Sequence, residues 1–289
     1  MVVSLVAEYI AAKLTRLPSQ SERPRQNPVT SFLPFEALKK SDLDLARWLL
    51  AQRPLFRLYF EAGLDALQKG QRNRSILIGE AGEGLVLSID FSGLTVRTTV
   101  GVLTEVELAQ AIDLSRPAEL HLEPHHLAFA CQHLGSRVVA KKLLRYCRLN
   151  APSGFGMDPR CRLLAPPDLA IVEALFRSYP ATIFSAWMLD GVLMGLFEGD
   201  ELCCCGGVVV ESKSLELANL GNFLTQPQWR RRGLAKVVAK SLIHKLERDG
   251  YRCFLLATTE DNKPAQRVYD ELGFRVFEER PQLNVGALC

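Results

Sequence analysis

The stretch Thr225-Gln-Pro-Gln-Trp-Arg-Arg-Arg-Gly-Leu-Ala235 places charge where a helix least favours it, and the surrounding fold has to accommodate that. From Leu234 onward, Leu234, Val237, Val238, Leu242 and Leu246 recur at helical spacing, so Arg230, Arg231 and Arg232 stand at or just before a helix start. That end carries the positive pole and four N–H groups without intrahelical acceptors, and each cation there is unfavourable by about 0.3–1 kcal/mol. The arrangement makes sense if an anion occupies the turn. Gly233 and Ala235 then leave room for a phosphate oxygen to reach the backbone amides. The plainer alternative is a solvated basic turn closed by a helix-starting glycine. The spacing Arg-x-x-Gly-x-Ala is neither the Walker pattern nor the three-glycine dinucleotide fingerprint, and neither occurs elsewhere in the chain.

A chain of 289 residues that is 48% apolar can bury one large core or two ordinary ones, and two domains is the better expectation. A net charge of +3 is too small to argue for a nucleic-acid partner, which needs a basic face. Eight cysteines are present, but Cys203, Cys204 and Cys205 are consecutive within an apolar run. Neighbours in a strand point to opposite faces, so the three cannot jointly hold one metal ion and read as small buried hydrophobes in a reducing, cytoplasmic setting. The apolar run Val2–Ala12 is too short to span a bilayer and lacks a basic leader and cleavage site, so it reads as an amphipathic helix; no membrane partner is expected. Pro18–Pro28 has almost nothing to bury and reads as a tether.

Periodicity predicts two helices in Phe35–Leu67 interrupted at Pro54. A β-meander follows (Ile76–Ile78, Leu85–Phe91, Leu94–Val102), then a helix at Thr104–Ile112, a strand at Ala118–Leu122 and a helix from His126 to His133. The cluster His121, Glu123, His125, His126, Cys131 and His133 has no metal-ligand spacing, and Pro124 interrupts it, so no metal is expected. A basic stretch, Lys141–Arg148, leads to a Pro/Gly-rich segment, Asn150–Pro159, read as a domain border. The second half reads as strand Cys161–Ala165, helix Asp168–Tyr179, strands Leu193–Glu198, Leu202–Val210 and Leu215–Leu224, helix Leu234–Asp249, strand Cys253–Thr258, helix Pro264–Leu272 and strand Phe274–Phe277. The expected domains are residues 1–28 (helix and tether), 29–149 and 157–289.

Asn262-Lys-Pro-Ala265-Gln-Arg-Val-Tyr269-Asp-Glu-Leu-Gly273-Phe274 resembles the Asn-x-x-Ala-x-x-x-Tyr-x-x-x-Gly-Phe segment of the GNAT superfamily of acyl-CoA-dependent N-acyltransferases. Arg230–Ala235, introduced by Pro227, looks like that superfamily's pyrophosphate-binding turn, and the two motifs stand in the right order. The resemblance covers about Arg160–Leu283. It implies an α/β (α+β) fold with a mixed central sheet flanked by helices. The first half has the same loose order of elements without Arg-x-x-Gly-x-Ala, so it is either a degenerate GNAT-like copy or an unrelated cap over the acceptor site.

By the same resemblance, Arg230, Arg231, Arg232, Gly233, Leu234 and Ala235 take the pyrophosphate of acetyl-CoA. Phe223, Leu224 and Thr225 pair with its pantetheine arm and acyl carbonyl, and Asn262 and Ala265 line the cofactor from the next helix. Tyr269 is expected to protonate the leaving sulfur, and Glu216, on the strand leading into the turn, is the candidate base. An exposed strand edge suits an extended pantetheine and a helix N-terminus suits a pyrophosphate. The expected activity is transfer of an acetyl group to a primary amine, without metal. The alternatives are a longer acyl donor acting on an amino acid, or a non-catalytic acyl-CoA sensor. Nothing in the sequence identifies the amine or the oligomeric state.

Overall fold

A computed structural model describes residues 31–68, 70, 72–91, 93–150, 154–179, 184 and 186–287. The expected helix at Val2–Ala12 and the tether at Pro18–Pro28 lie outside these residues. The described chain forms two compact units. Unit 1 holds the residues up to Arg145 with Thr259–Asp261 and the chain from Glu278 onward; unit 2 holds Tyr146–Thr258 and Asn262–Phe277. The border expected at 150–159 thus lies a few residues beyond the observed one, and the last strand, expected wholly in the second domain, returns to unit 1 at Glu278.

Unit 1 runs β1 (Leu33–Pro34), α1 (Lys40–Leu49), α2 (Pro54–Gln68), β2 (Arg74–Ile78), β3 (Gly84–Phe91), β4 (Leu94–Gly101), α3 (Glu105–Ile112), β5 (Ala118–His121), α4 (Leu127–Leu134) and the first part of β6 (Val138–Asn150). Pro54 separates α1 from α2 because it suits a first helical turn but not a helix interior. Strands β2, β3 and β4 form the antiparallel meander, with Ile76 opposite Leu87 and Leu87 opposite Thr98. Strand β5 pairs parallel with β4, and its other edge takes Gln282–Val285 antiparallel, so the sheet is mixed. Leu108, Ala111 and Ile112 of α3 and Ala130 and Leu134 of α4 pack with Leu77, Val86, Leu120 and Leu283 of the strands.

Unit 2 holds the rest of β6, β7 (Cys161–Leu163), α5 (Leu169–Arg177), β8 (Leu193–Glu198), β9 (Glu201–Ser212), β10 (Leu217–Thr225), α6 (Leu234–Arg248), β11 (Cys253–Thr259), α7 (Lys263–Leu272) and the start of β12 (Arg275–Val285). Strands β7 to β10 are successively antiparallel and β11 joins β10 in parallel. Helices cover both faces, as adjacent strand residues show. Cys204 belongs to the core of α6 and α7 (Leu234, Val238, Leu242, Tyr269, Leu272), whereas Cys205 belongs to the core of α5 (Val172, Leu175, Phe176).

One strand was not expected and another exceeds its expected length. Strand β6 forms across the basic stretch because its residues alternate, leaving Lys141 exposed while Leu144 and Tyr146 are buried. Strand β12 continues past Phe277 through Glu278-Glu279-Arg280-Pro281. There Arg280 is fully buried, held by Glu278 (2.6 Å), Glu123 (3.0 Å) and the Thr99 carbonyl (2.6 Å), with the Phe56 ring 4.2 Å from its guanidinium carbon. No helix among the described residues is long and apolar enough to cross a membrane.

Candidate acyl-CoA site

Strand β10 is irregular where it approaches the turn. Its register against β9 passes from Gly221↔Gly207 to Leu224↔Cys205, so β10 carries one extra residue, and Asn222 absorbs it at φ 55°. The parallel pairing with β11 ends at Leu220↔Leu256, so the last residues of β10 pair with β9 only. Along an antiparallel strand, alternate residues turn their N–H and C=O groups toward opposite neighbours. The Gln226 N–H goes to the Cys203 carbonyl (2.9 Å), so those of Thr225 face the other way, onto the edge β11 has left. By the same alternation Phe223 shares that open edge, while Leu224 faces β9 and is buried.

Immediately downstream, Pro227–Trp229 forms a 3-10 turn, Arg231 takes φ 62° and Gly233 takes φ 74° as the N-cap of α6. The N–H groups of Arg231, Arg232, Gly233, Leu234 and Ala235 have no acceptor among the described residues; the first donor of α6 is Lys236, to the Gly233 carbonyl at 3.0 Å. A Cβ built on Gly233 meets no atom within 4 Å, so the glycine is needed for its left-handed backbone and leaves open space above the amides. No guanidinium of Arg230–Arg232 pairs with a carboxylate among the described residues. Arg230 Nε donates to the Thr225 carbonyl at 3.3 Å, and Arg232 lies 4.6 Å from the Trp229 ring. Leu234 offers only its backbone to the turn, since its side chain is core. Unneutralised cations beside open amides fit a pyrophosphate.

Helix α7 begins at Asn262, whose side chain accepts from the Ala265 N–H at 3.3 Å, and ends at Gly273 in the left-handed region, with the Phe274 N–H closing onto the Tyr269 carbonyl at 3.0 Å. Asn262 therefore caps the helix and orders the motif. Tyr269 is 8% exposed; its ring lies 6.1 Å from Phe223 of the bulge and 6.0 Å from Phe274. The Phe223 ring fills space where a Cβ on Gly206 would stand at 2.3 Å. The Tyr269 hydroxyl has no hydrogen-bond partner among the described residues and is not among the sealed polar atoms, so it reaches solvent. Burial of the ring pushes its phenol well above the usual value of 10, and the Cys147 thiol adds to this.

Glu216, expected on the strand, lies outside it. It lies in the four-residue turn before β10, at φ 53°, and its carbonyl accepts from the N–H groups of Arg252 and Cys253. The length of β10, roughly 25 Å at about 3.3 Å per residue, separates it from Thr225. Residues the sequence reading missed are Asn222, which forms the bulge, and Tyr179, whose hydroxyl contacts both backbone groups of Thr225. Only the αL tolerance of asparagine beside Gly221 hinted at the bulge. The cysteines opposite the site are sealed: burial raises the Cys204 thiol to about 12 and the Cys205 thiol further. No group of three metal-binding side chains is found among the described residues.

Unit 1 has a loosely similar order of elements, with two helices where unit 2 has α5, and the crevice between its β4 and β5 is filled. Pairing of β4 with β5 stops at Thr98↔His121, and the next groups are taken internally. The Thr99 carbonyl accepts from Arg280, and the Gly101 N–H donates to Glu123 at 3.1 Å. The Thr99 hydroxyl donates or accepts at His126 Nδ1 (3.1 Å) and accepts from the Glu123 N–H (2.8 Å). The start of α3 is closed by Thr104, which accepts from the Glu107 N–H, and by the Glu107 carboxylate, which accepts from the Thr104 (2.7 Å) and Glu80 (2.5 Å) N–H groups. An acid stands at the start of α3, whereas the start of α6 in unit 2 offers open amides.

Residues 193–282 match a family model described as FR47-like protein. The search of curated proteins found no match. Among solved structures, a Drosophila protein is 14% identical with a TM-score of 0.63, covering 88% of this chain and 98% of its own. A tandem GNAT protein from the clavulanic acid biosynthesis pathway is 15% identical with a TM-score of 0.56, covering 90% and 99%. A GCN5-related N-acetyltransferase from Sphaerobacter thermophilus is 12% identical with a TM-score of 0.54, covering 78% and 87%. At these identities the likeness is one of fold, and with the tandem protein it runs through both units. The C-terminal part of this chain, with its bulged strand, open helix start and Tyr269 helix, has the fold of these GNAT structures, and the likeness to the tandem protein extends that fold over both units.

Proposed function

We propose that unit 2 transfers an acetyl group from acetyl-CoA to a primary amine by direct attack. The observation that carries this reading is the unbroken run Phe223–Ala235, which among the described residues offers a strand edge with no strand beside it, followed at once by five backbone N–H groups without acceptors and three guanidinium groups without carboxylate partners. In the proposal, the amides of Arg231–Ala235 with Arg230–Arg232 take the pyrophosphate, and the edge at Phe223 and Thr225 takes the amide-bearing pantetheine arm as an added strand. A backbone N–H on that edge polarises the acyl carbonyl as the amine attacks. As the C–N bond forms and the C–S bond breaks, the amine proton passes to solvent water, and Tyr269, kept neutral by burial, delivers its hydroxyl proton to the departing sulfur and is reprotonated from the solvent its hydroxyl reaches. Glu216 has no part in this scheme.

A sensor needs the phosphate turn but not a neutral phenol beside the strand bulge, so the Tyr269 hydroxyl, without a partner among the described residues, favours an enzyme. The test is release of free thiol from acetyl-CoA across a panel of amino acids, polyamines, peptide N-termini and lysyl peptides, repeated with propionyl and longer acyl donors. Amine-dependent release fastest with acetyl-CoA is expected. Release only with longer chains would replace the donor, and CoA binding with no release from any pair would favour the sensor.

A further inference from the structure

Thr225 is the last residue of β10, and its N–H and C=O face the edge that β11 has vacated. Both groups are occupied by a side chain from outside the strand. The Tyr179 hydroxyl, just past the end of α5, donates to the Thr225 carbonyl at 2.5 Å and accepts from the Thr225 N–H at 3.3 Å. An amide of an extended ligand uses one N–H and one C=O in the same way when it adds as a strand. The phenol therefore occupies the hydrogen-bonding position of a ligand amide.

Tyr179 is also tied to the phosphate turn. Arg230 stacks over its ring at 5.1 Å and donates through Nε to the same Thr225 carbonyl at 3.3 Å. The ring rests partly buried against the α5 core, which includes Leu224. One tyrosine thus contacts the strand edge and the first arginine of the turn together.

We propose that Tyr179 is a self-supplied occupant of the pantetheine edge, displaced when the thiol arm of coenzyme A binds. The proposal rests on the cofactor reading above and deepens it. Binding of the arm exchanges the two Tyr179 contacts for those of the ligand, so part of the ligand's gain is spent on releasing the phenol. Phosphate capture at the turn needs no such exchange.

The two readings are separated by titrating full-length wild type and Tyr179→Phe with coenzyme A and with adenosine 3′,5′-bisphosphate, which has phosphates but no pantetheine arm. Phenylalanine keeps the ring and its packing, and unfolding of the ligand-free proteins checks that the variant is folded. Coenzyme A is expected to bind the variant about fivefold tighter, the effect of removing one net competing hydrogen bond, with the bisphosphate unchanged. Unchanged or weaker coenzyme A binding, or equal tightening of both ligands, would overturn the role of Tyr179 and leave the cofactor reading standing. If wild type binds neither ligand, the cofactor reading fails and takes this proposal with it.

Discussion

Tyr269 and Tyr179 are both phenols, yet their surroundings differ. The Tyr269 ring is packed between Phe223 and Phe274 with its hydroxyl unpartnered among the described residues, whereas the Tyr179 hydroxyl is fully engaged with backbone. Tyr269→Phe preserves the packing and removes only the proton. It is expected to lower kcat by about 10²–10⁴-fold with CoA affinity unchanged, which marks an interaction made in the transition state. Because burial raises the Tyr269 phenol above its usual value of 10, the donor form persists through neutral and moderately alkaline pH. The proton is lost only as pH rises past that value, so any loss of rate that vanishes in Tyr269→Phe should begin above about pH 10. Full turnover in the variant, with chemistry shown to be rate-limiting, would reduce Tyr269 to a packing residue.

At the scale of elements, the turn into α6 concentrates the site because left-handed residues aim its amides outward. Gly233→Val should leave the fold intact, since no atom lies within 4 Å of the new Cβ; the cost is the φ of 74°, about 1–2 kcal/mol. Thermal unfolding should show a modest drop for the ligand-free variant and loss of the stabilisation that CoA gives wild type. A retained shift would place the ligand elsewhere. The turn and the Asn262–Tyr269 helix were legible in the sequence because glycine, arginine and tyrosine spacings survive there as local signals. Glu216 was misread because a strand boundary two residues out moves a side chain into a different turn, and β10 begins at Leu217. The bulge and the contact from Tyr179 depend on register and on residues 46 positions apart, which periodicity does not record.

For the whole molecule, composition anticipated two units but not where the chain passes between them. The sequence Glu278-Glu-Arg-Pro281 lies just past the expected end of the last strand at Phe277. It continues as strand because Arg280 meets Glu123 and the Thr99 carbonyl, partners more than 150 positions away. The same pairing fills the crevice that unit 2 leaves open, and Glu107 closes the helix start that would otherwise accept an anion. The proposed acyl-CoA site therefore belongs to unit 2 alone, one per chain. Calorimetric titration of the full chain with CoA tests it most directly. One site per chain, lost in Gly233→Val, is predicted; two sites per chain, binding that survives Gly233→Val, or no heat of binding at millimolar CoA would contradict it.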